Sequence, residues 1–446
     1  MKKSFKYISY NYYFNNNTIS IDYHFQNHFH DSVVDFTPKL SFTIPDNLYN
    51  NNLSLPIIDE LVFSLGMVEA ISYWKINCIQ NFEIISHNLS DEQIDWWKNL
   101  FFYGLGEFRY INKITSDKDN FILFSPNKQL PVFQKLTNIS TPNNASRVIV
   151  PVGGGKDSVV TLEELKTTKE VIPFAINPSP TVENCIETAN LSLDGSIIVR
   201  RHLDSTLLEL NKSGALNGHT PFSALVAFST LIGAELTATT DIALSNESSA
   251  SEATVVSITD DIINHQYSKS YKFESDFRDY YKKHICDRYE YFSYLRPFHE
   301  LKIAEKFSKY KQYHKIFRSC NVGTKKGNIW CGKCPKCLFV YLIMLPFIPK
   351  DELDSIFNHD LLNDMDLLPI LLELTGLSEV KPFECVGTID ETKAAIAQYL
   401  LTNPATGILR EYSDIYGKTN IEQDAKKFKE ILTYFDANNF IPYLYI

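Results

Sequence analysis

From Arg147 onward, apolar runs of strand length alternate with helical segments, and this alternation limits the fold more than any other feature. The runs cover residues 148–152, 171–176, 196–200 and 241–244. Between them lie residues 158–169, 182–191 and a long helical stretch at 221–236. Near-continuous apolar strands separated by helices predict βαβ units and a parallel sheet covered on both faces. In such sheets ligands bind in the crevice beyond the carboxyl ends of the strands, so functional residues are expected in the loops that follow these runs.

The flanking sequence reads differently. Residues 7–25 are aromatic and β-branched, broken at Asn15-Asn16-Asn17, and predict a hairpin. Residues 61–76 have helical spacing. Ser90 is placed to cap a second helix that carries Trp96 and Trp97 as core residues. Beyond residue 350 the chain predicts helices at 350–357, 361–374, 389–401 and 420–435, with an apolar end at 440–446 that docks. The expected fold class is α/β: a parallel-sheet core at 146–315 behind an N-terminal α+β domain at 1–145. A cysteine knuckle at 316–350 and a helical C-terminal region at 351–446 follow.

Composition excludes several classes. With 43 basic and 53 acidic residues the net charge is -10, which disfavours nucleic acid as a partner, since that needs many Lys/Arg–phosphate contacts. The longest apolar run, 337–348, contains Pro346 and falls short of the roughly 20 residues that span a bilayer. The basic Met1-Lys2-Lys3 is followed by Tyr- and Asn-rich sequence with no apolar core, so no secretory signal is read there. A cytoplasmic protein with no membrane partner is expected; the sequence leaves its oligomeric state unknown.

Between the first strand and its helix stand Gly153-Gly154-Gly155-Lys156-Asp157-Ser158. Glycines let backbone N–H groups turn inward on an anion, and the helix start adds positive dipole and the Ser158 hydroxyl. The Walker spacing is absent. Lys156 either contacts phosphate or is solvated. The segment resembles the S-G-G-x-D-S loop of the PP-loop ATP pyrophosphatases, which split ATP into AMP and pyrophosphate while adenylating an oxygen. Gly154, Gly155, Asp157 and Ser158 match, and Gly153 replaces the leading Ser.

Cys331, Cys334 and Cys337 lie within seven positions, with Cys320 ten intervening residues upstream. Four thiolates suit a structural zinc site, with free thiols and an iron–sulfur cluster as the competing readings. Gly332 permits the reversal, and Lys333 and Lys336 would offset the charge. Cys78, Cys185 and Cys286 read as buried thiols. A PP-loop with a late C-G-x-C-x-x-C is similar to the deazaguanine-nitrile synthases of the queuosine pathway, which are much shorter than this chain.

Further polar loops complete the candidate set. His219 precedes a helix that Thr220 is expected to cap, either as a functional group or as a plain loop residue. Ser245-Asn246-Glu247 follows the strand ending at Leu244, as a ribose or substrate contact or as a polar turn. Asn264-His265-Gln266-Tyr267-Ser268-Lys269-Ser270 is dense in hydrogen-bonding groups. Residues 381–387 place Lys381, Glu384 and Cys385 between two helices, where an ordinary connection would also serve.

Together with Trp96-Trp97 and Gly104-Leu105-Gly106-Glu107-Phe108, these segments resemble the ATP-dependent UDP-N-acetylmuramoyl-L-alanyl-L-glutamate epimerases of peptidoglycan synthesis, a longer PP-loop family. The resemblance implies a UDP-muramoyl dipeptide substrate, ATP and Mg²⁺, structural Zn²⁺, and epimerisation through an acyl-adenylate with release of AMP and pyrophosphate. It places nucleotide at Gly153, Gly154, Gly155, Lys156, Asp157, Ser158, Asn246 and Glu247. His219 and His265 lead as proton carriers because imidazole titrates near neutrality, with Cys385 as a third candidate. The rival expectations are a queuosine-type synthase or other adenylating ligase, and a PP-loop-derived defence module.

Overall fold

A computed structural model describes residues 3–137, 146–256, 262–320, 322–323, 327, 329–378 and 380–445. Met1 and Lys2 of the N-terminal reading, Ala145 at the first expected boundary, and Ile446 lie outside them.

The expected hairpin forms as β1 (Phe5–Asn15) and β2 (Thr18–Phe29), turning at Asn16 with φ 51°. Next come β3 (Ser32–Phe36), β4 (Lys39–Thr43), β5 (Asn81–Ile84) and β6 (Leu123–Pro126). The alternating region supplies β7 (Arg147–Pro151), β8 (Glu170–Ile176), β9 (Ile197–His202) and β10 (Asp241–Leu244). A two-stranded ribbon joins β11 (Val255–Val256) to β12 (Ile262–Ile263), and β13 (Glu290–Ser293) follows.

The strands run in one sheet in the order β13-β10-β7-β8-β9-β4-β2-β1-β5-β6, with β3 paired to β2. From β13 to β9 every pairing is parallel. Then β4 pairs antiparallel with β9, Phe42 opposite Val199, so the N-terminal strands extend the parallel block rather than standing apart from it. Within that block the chain order is 3-2-1-4-5, which reverses direction between β7 and β10. Loops leaving the carboxyl ends of strands at such a reversal diverge and leave a crevice.

Both faces of the block are covered, as its apolar runs require. Val148 and Val150 face one buried cluster while Ile149 faces the other, the period of two expected of a strand. On the second face the helix Leu55–Trp74 packs on the helix Phe222–Thr237; both are buried nearly all round. Trp96 and Trp97 also sit here: Trp97 is buried, and its Nε1 donates to Tyr280 Oη at 3.1 Å.

Local chemistry sets the helix ends. Ser90 and Gln93 form a reciprocal capping box, as read from sequence. Thr220 does not cap: the helix begins at Phe222 with Pro221 in the cap position and no side-chain bond. The single helix expected at 361–374 is broken into two short turns and the helix Leu368–Leu374. Asp360 and Asp364 accept backbone N–H bonds at each start, and such local bonds compete with helix propagation. The C-terminal segment docks at the amino end of β10, with Tyr445 Oη donating to Asp241 at 2.6 Å. Among the described residues no helix is long and apolar enough to cross a membrane.

Candidate active site

The glycine loop leaves the carboxyl end of β7 and enters the helix Lys156–Leu165, whose cap residue Gly155 offers no side-chain bond to the first turn. Gly154 has φ +80°, and a Cβ there would stand 2.7 Å from Thr181 Cγ2. Only glycine fits. A Cβ on Gly155 would meet Ser319 Oγ at 2.8 Å, whereas Gly153 faces open space. Ser158 donates its hydroxyl to Gly155 O at 3.0 Å, bracing the loop from within.

Lys156 is fully buried, which removes the reading of a solvated lysine. Its ammonium lies between the carboxylates of Asp157 and Glu300. Glu300 follows β13, and Glu247 follows β10. One carboxylate oxygen from each of Asp157, Glu247 and Glu300 lies within 4.8 Å of the others. Three neighbouring parallel strands thus each deliver an acid to one point beside the chain reversal. Burial pushes Glu300 above the ordinary carboxylate range and the charge of Asp157 adds to it, against the pull of Lys156. Burial would raise Asp157 too, but Lys156 and then Lys336 hold it below its usual value. Asn246 is committed to Ser293 Oγ at 3.1 Å, so it props the β10 loop.

A second cluster stands alongside. His265 Nδ1 donates to Glu107 Oε2 at 2.5 Å, and His265 Nε2 lies 4.0 Å from Cys385 Sγ. His219 Nδ1 is 3.7 Å from the same Glu107 oxygen. Burial opposes charge on His265, yet its bonds to Cys385 and Glu107 prevail and lift its pKa to about 9. Burial and the adjacent His265 push His219 down to about 4, so it is neutral at pH 7. Burial would raise the Cys385 thiol, but Lys269, His265 and Lys336 outweigh it and lower it to about 6. One imidazole is therefore charged, its neighbour is neutral, and the sulfur is a thiolate.

Glu107, His219 and His265 also have the composition of a zinc donor set. Two ligands on one tetrahedral ion with bonds of ~2.0 Å stand roughly 3.3 Å apart, however. The 2.5 Å contact of Glu107 with His265 is that of a charge-assisted hydrogen bond.

Lys269 feels the charges of both clusters. The negative charge of Cys385, and then those of Glu247, Asp157 and Glu300, hold its ammonium charged against burial. The loops are tied together by Gln266 Nε2 donating to Val386 O at 3.3 Å, and by Lys336 Nζ donating to Cys385 O. Gly218, before His219, is held by Lys75 Nζ at its carbonyl oxygen.

The four knuckle cysteines also converge. Cys320 and Cys334 sulfurs are 3.7 Å apart, Cys331 and Cys337 3.7 Å, and Cys334 and Cys337 3.5 Å. A tetrahedral ion with Zn–S bonds of ~2.3 Å requires S···S distances of roughly 3.8 Å, so the donor set fits one ion. Gly332, at φ +68°, makes the expected reversal. The lysines do not balance the thiolates: Lys333 pairs with Asp364 at 2.6 Å, and Lys336 reaches toward Cys385. The knuckle also supports the glycine loop, since Arg318 N donates to Gly154 O at 2.9 Å just before Cys320.

Residues 1–294 match the MurL N-terminal domain family, and residues 316–419 match the MurL C-terminal domain family. The chain belongs to the MurL family. Three relatives bear the name UDP-N-acetyl-alpha-D-muramoyl-L-alanyl-L-glutamate epimerase. The one from Xanthomonas oryzae pv. oryzae is 34% identical over 75% of this chain and 73% of its own length. Those from Salinispora tropica and a Micromonospora species are 30% and 31% identical, each over 82% of this chain and 79% and 80% of their own. No solved structure matches. This MurL-family chain is accordingly an enzyme of the isomerase class. Its candidate site unites most of the residues singled out from sequence, while Glu300, Glu107 and Lys336 emerge as partners only in the fold.

Proposed function

We propose that this chain inverts the terminal L-glutamate of UDP-N-acetylmuramoyl-L-alanyl-L-glutamate, using ATP and releasing AMP and pyrophosphate, in peptidoglycan precursor synthesis. The observation that carries this reading is the juxtaposition of a glycine loop at a helix start with a cluster of two imidazoles and a thiolate, the Cys385 loop approaching Glu300 at Gly387. The names of the relatives supply the substrate.

The chemistry explains why both halves are needed. The α-proton of glutamate is held by the negative charge of its own carboxylate. Converting that carboxylate to an acyl-adenylate removes the charge and lets the enolate form. The backbone N–H groups of the Gly154–Gly155 turn and the helix start receive phosphate oxygens. Asp157 and Glu300, which Lys156 bridges here, and Glu247 offer the hard oxygen donors that Mg²⁺ takes; Mg²⁺ would share two of them with that ammonium and would neutralise phosphate charge. Neutral His219 can accept the α-proton. Charged His265, oriented by Glu107, has its ring centroid 4.5 Å from that of His219, too near to straddle Cα with it, and can donate a proton to the enolate oxygen. A ligase reading would need an amine acceptor, and the names of the relatives favour the epimerase.

Nucleotide products test the ATP half. Turnover should yield AMP and pyrophosphate, and Asp157→Ala should largely abolish it; ADP and phosphate would reject the assignment.

For the knuckle we propose one Zn²⁺ per chain on Cys320, Cys331, Cys334 and Cys337. It would cross-link the segments that brace the phosphate loop and carry Lys336. Cys334→Ser is expected to lose the metal and lower the melting temperature by several degrees, checked by elemental analysis and thermal unfolding. Iron with sulfide, or well-folded protein without metal, would contradict it.

A further inference from the structure

Two bases that serve opposite faces of one carbon must straddle it. With each reacting atom about 3–3.5 Å from that carbon, they stand roughly 6–7 Å apart. Cys385 Sγ and His265 Nε2 are 4.0 Å apart, so no Cα fits between them. They form one unit. Its other end is fixed by Glu107, which accepts from His265 Nδ1 at 2.5 Å. Sulfur, imidazole and carboxylate in that order make an activated nucleophile, with the base beside it and a third group setting the base's tautomer and orientation.

The sulfur's loop also reaches the acidic cluster. A Cβ on Gly387, two residues after Cys385, would stand 3.1 Å from Glu300 Cβ, and Lys336, which donates to Cys385 O, also acts by its charge on Asp157. The loop carrying Cys385 is held at two successive carbonyl groups, by Lys336 at Cys385 O and by Gln266 at Val386 O. A thiolate pinned next to the place where a carboxyl group would be activated is set to attack it.

We propose that Cys385 is a covalent acyl carrier and that inversion takes place on an enzyme-bound glutamyl thioester. This rests on the ATP-dependent epimerase reading above. The thiolate adds to the carbonyl carbon of the acyl-adenylate. A C–S bond forms, the C–O bond to the phosphate breaks, and AMP departs with that electron pair. The thioester carbonyl then carries the enolate when the α-proton passes to His219. After a proton from solvent reaches the face of Cα opposite His219, one water cleaves the C–S bond, restoring carboxylate and thiolate, and His219 and the water give up their protons to solvent. The net stoichiometry stays one ATP and one water to AMP and pyrophosphate. The thioester keeps the acyl group attached after the nucleotide has left and retains an acidified α-proton.

The test uses the full chain with ATP, Mg²⁺ and UDP-N-acetylmuramoyl-L-alanyl-L-glutamate, quenched in acid within a single turnover. Intact mass should show protein plus substrate less one water. Hydroxylamine should remove that adduct, and peptide mapping should place it on Cys385. Cys385→Ala should still give a burst of pyrophosphate but no adduct, and D-glutamyl product should fall by on the order of 10³-fold. Cys385→Ser should hold a hydroxylamine-resistant ester, and unchanged thermal unfolding and metal content would show both variants folded. Wild-type protein that makes the D-isomer without an adduct, with Cys385→Ala keeping its rate within about tenfold, overturns the thioester alone. Wild-type protein that makes no D-isomer overturns the epimerase reading on which it rests.

Discussion

Replacing His265 by Asn should slow D-glutamyl product formation by about 10²–10⁴-fold while leaving ATP binding nearly intact, the usual contribution of a positioned acid or base. Asn keeps a donor toward Glu107 but cannot carry the proton. His265 is 9% exposed at its side chain and touches both Glu107 and Cys385, so its loss also frees the thiol from its charged neighbour. The pH profile gives an independent check. Cys385 is a thiolate above about 6, and His265 is charged below about 9. The ion pair is therefore populated between those values: kcat/KM should rise with pH through the lower limit and fall through the upper. His219 is already neutral above about 4, so it adds no further limb in that window. In Glu107→Gln the charged imidazole loses its carboxylate acceptor, and the alkaline limb should move to lower pH. A limb that stays fixed in this variant would remove Glu107 from the unit.

Replacing Lys156 by Met is expected to have the largest effect on stability. The ammonium is 1% exposed and bridges Asp157 to Glu300, itself 1% exposed. Removing one member of a buried ion pair leaves unbalanced charge in a low-dielectric site, which costs about 3–5 kcal/mol. Denaturant unfolding of the purified chain should show this as a lowered midpoint. Adding Glu300→Gln to Lys156→Met should restore part of the loss, because the second change removes a stranded carboxylate. Additive losses would mean that Lys156 and Glu300 do not depend on each other.

The parallel block was readable from sequence because its strands are buried on both faces and their apolar runs are unbroken. β10 was located to the residue, and β7, β8 and β9 to within two. β13 was not seen, since Glu290–Ser293 is four residues long and resembles the aromatic helix before it. Glu300 was missed with it, because only the position of that fifth parallel strand brings the carboxylate to Asp157. The cysteine knuckle was legible because its ligands are local. Glu107 was visible only as part of a resembling segment; it meets His265 across 158 positions, a contact that no periodicity encodes. The continuation of the sheet from β9 into β4 was equally hidden, since antiparallel pairing of distant strands leaves no local signal.

The central claim is that ATP-driven activation at the glycine loop serves breakage of a Cα–H bond at the Glu107–His219–His265–Cys385 cluster. The most direct test is incubation of the full chain with ATP, Mg²⁺ and UDP-N-acetylmuramoyl-L-alanyl-L-glutamate in D₂O, followed by chiral separation and mass analysis of the released glutamate. D-Glutamate carrying deuterium at Cα, formed together with AMP, is the expected result. Glutamate that remains L and undeuterated while AMP accumulates would contradict it.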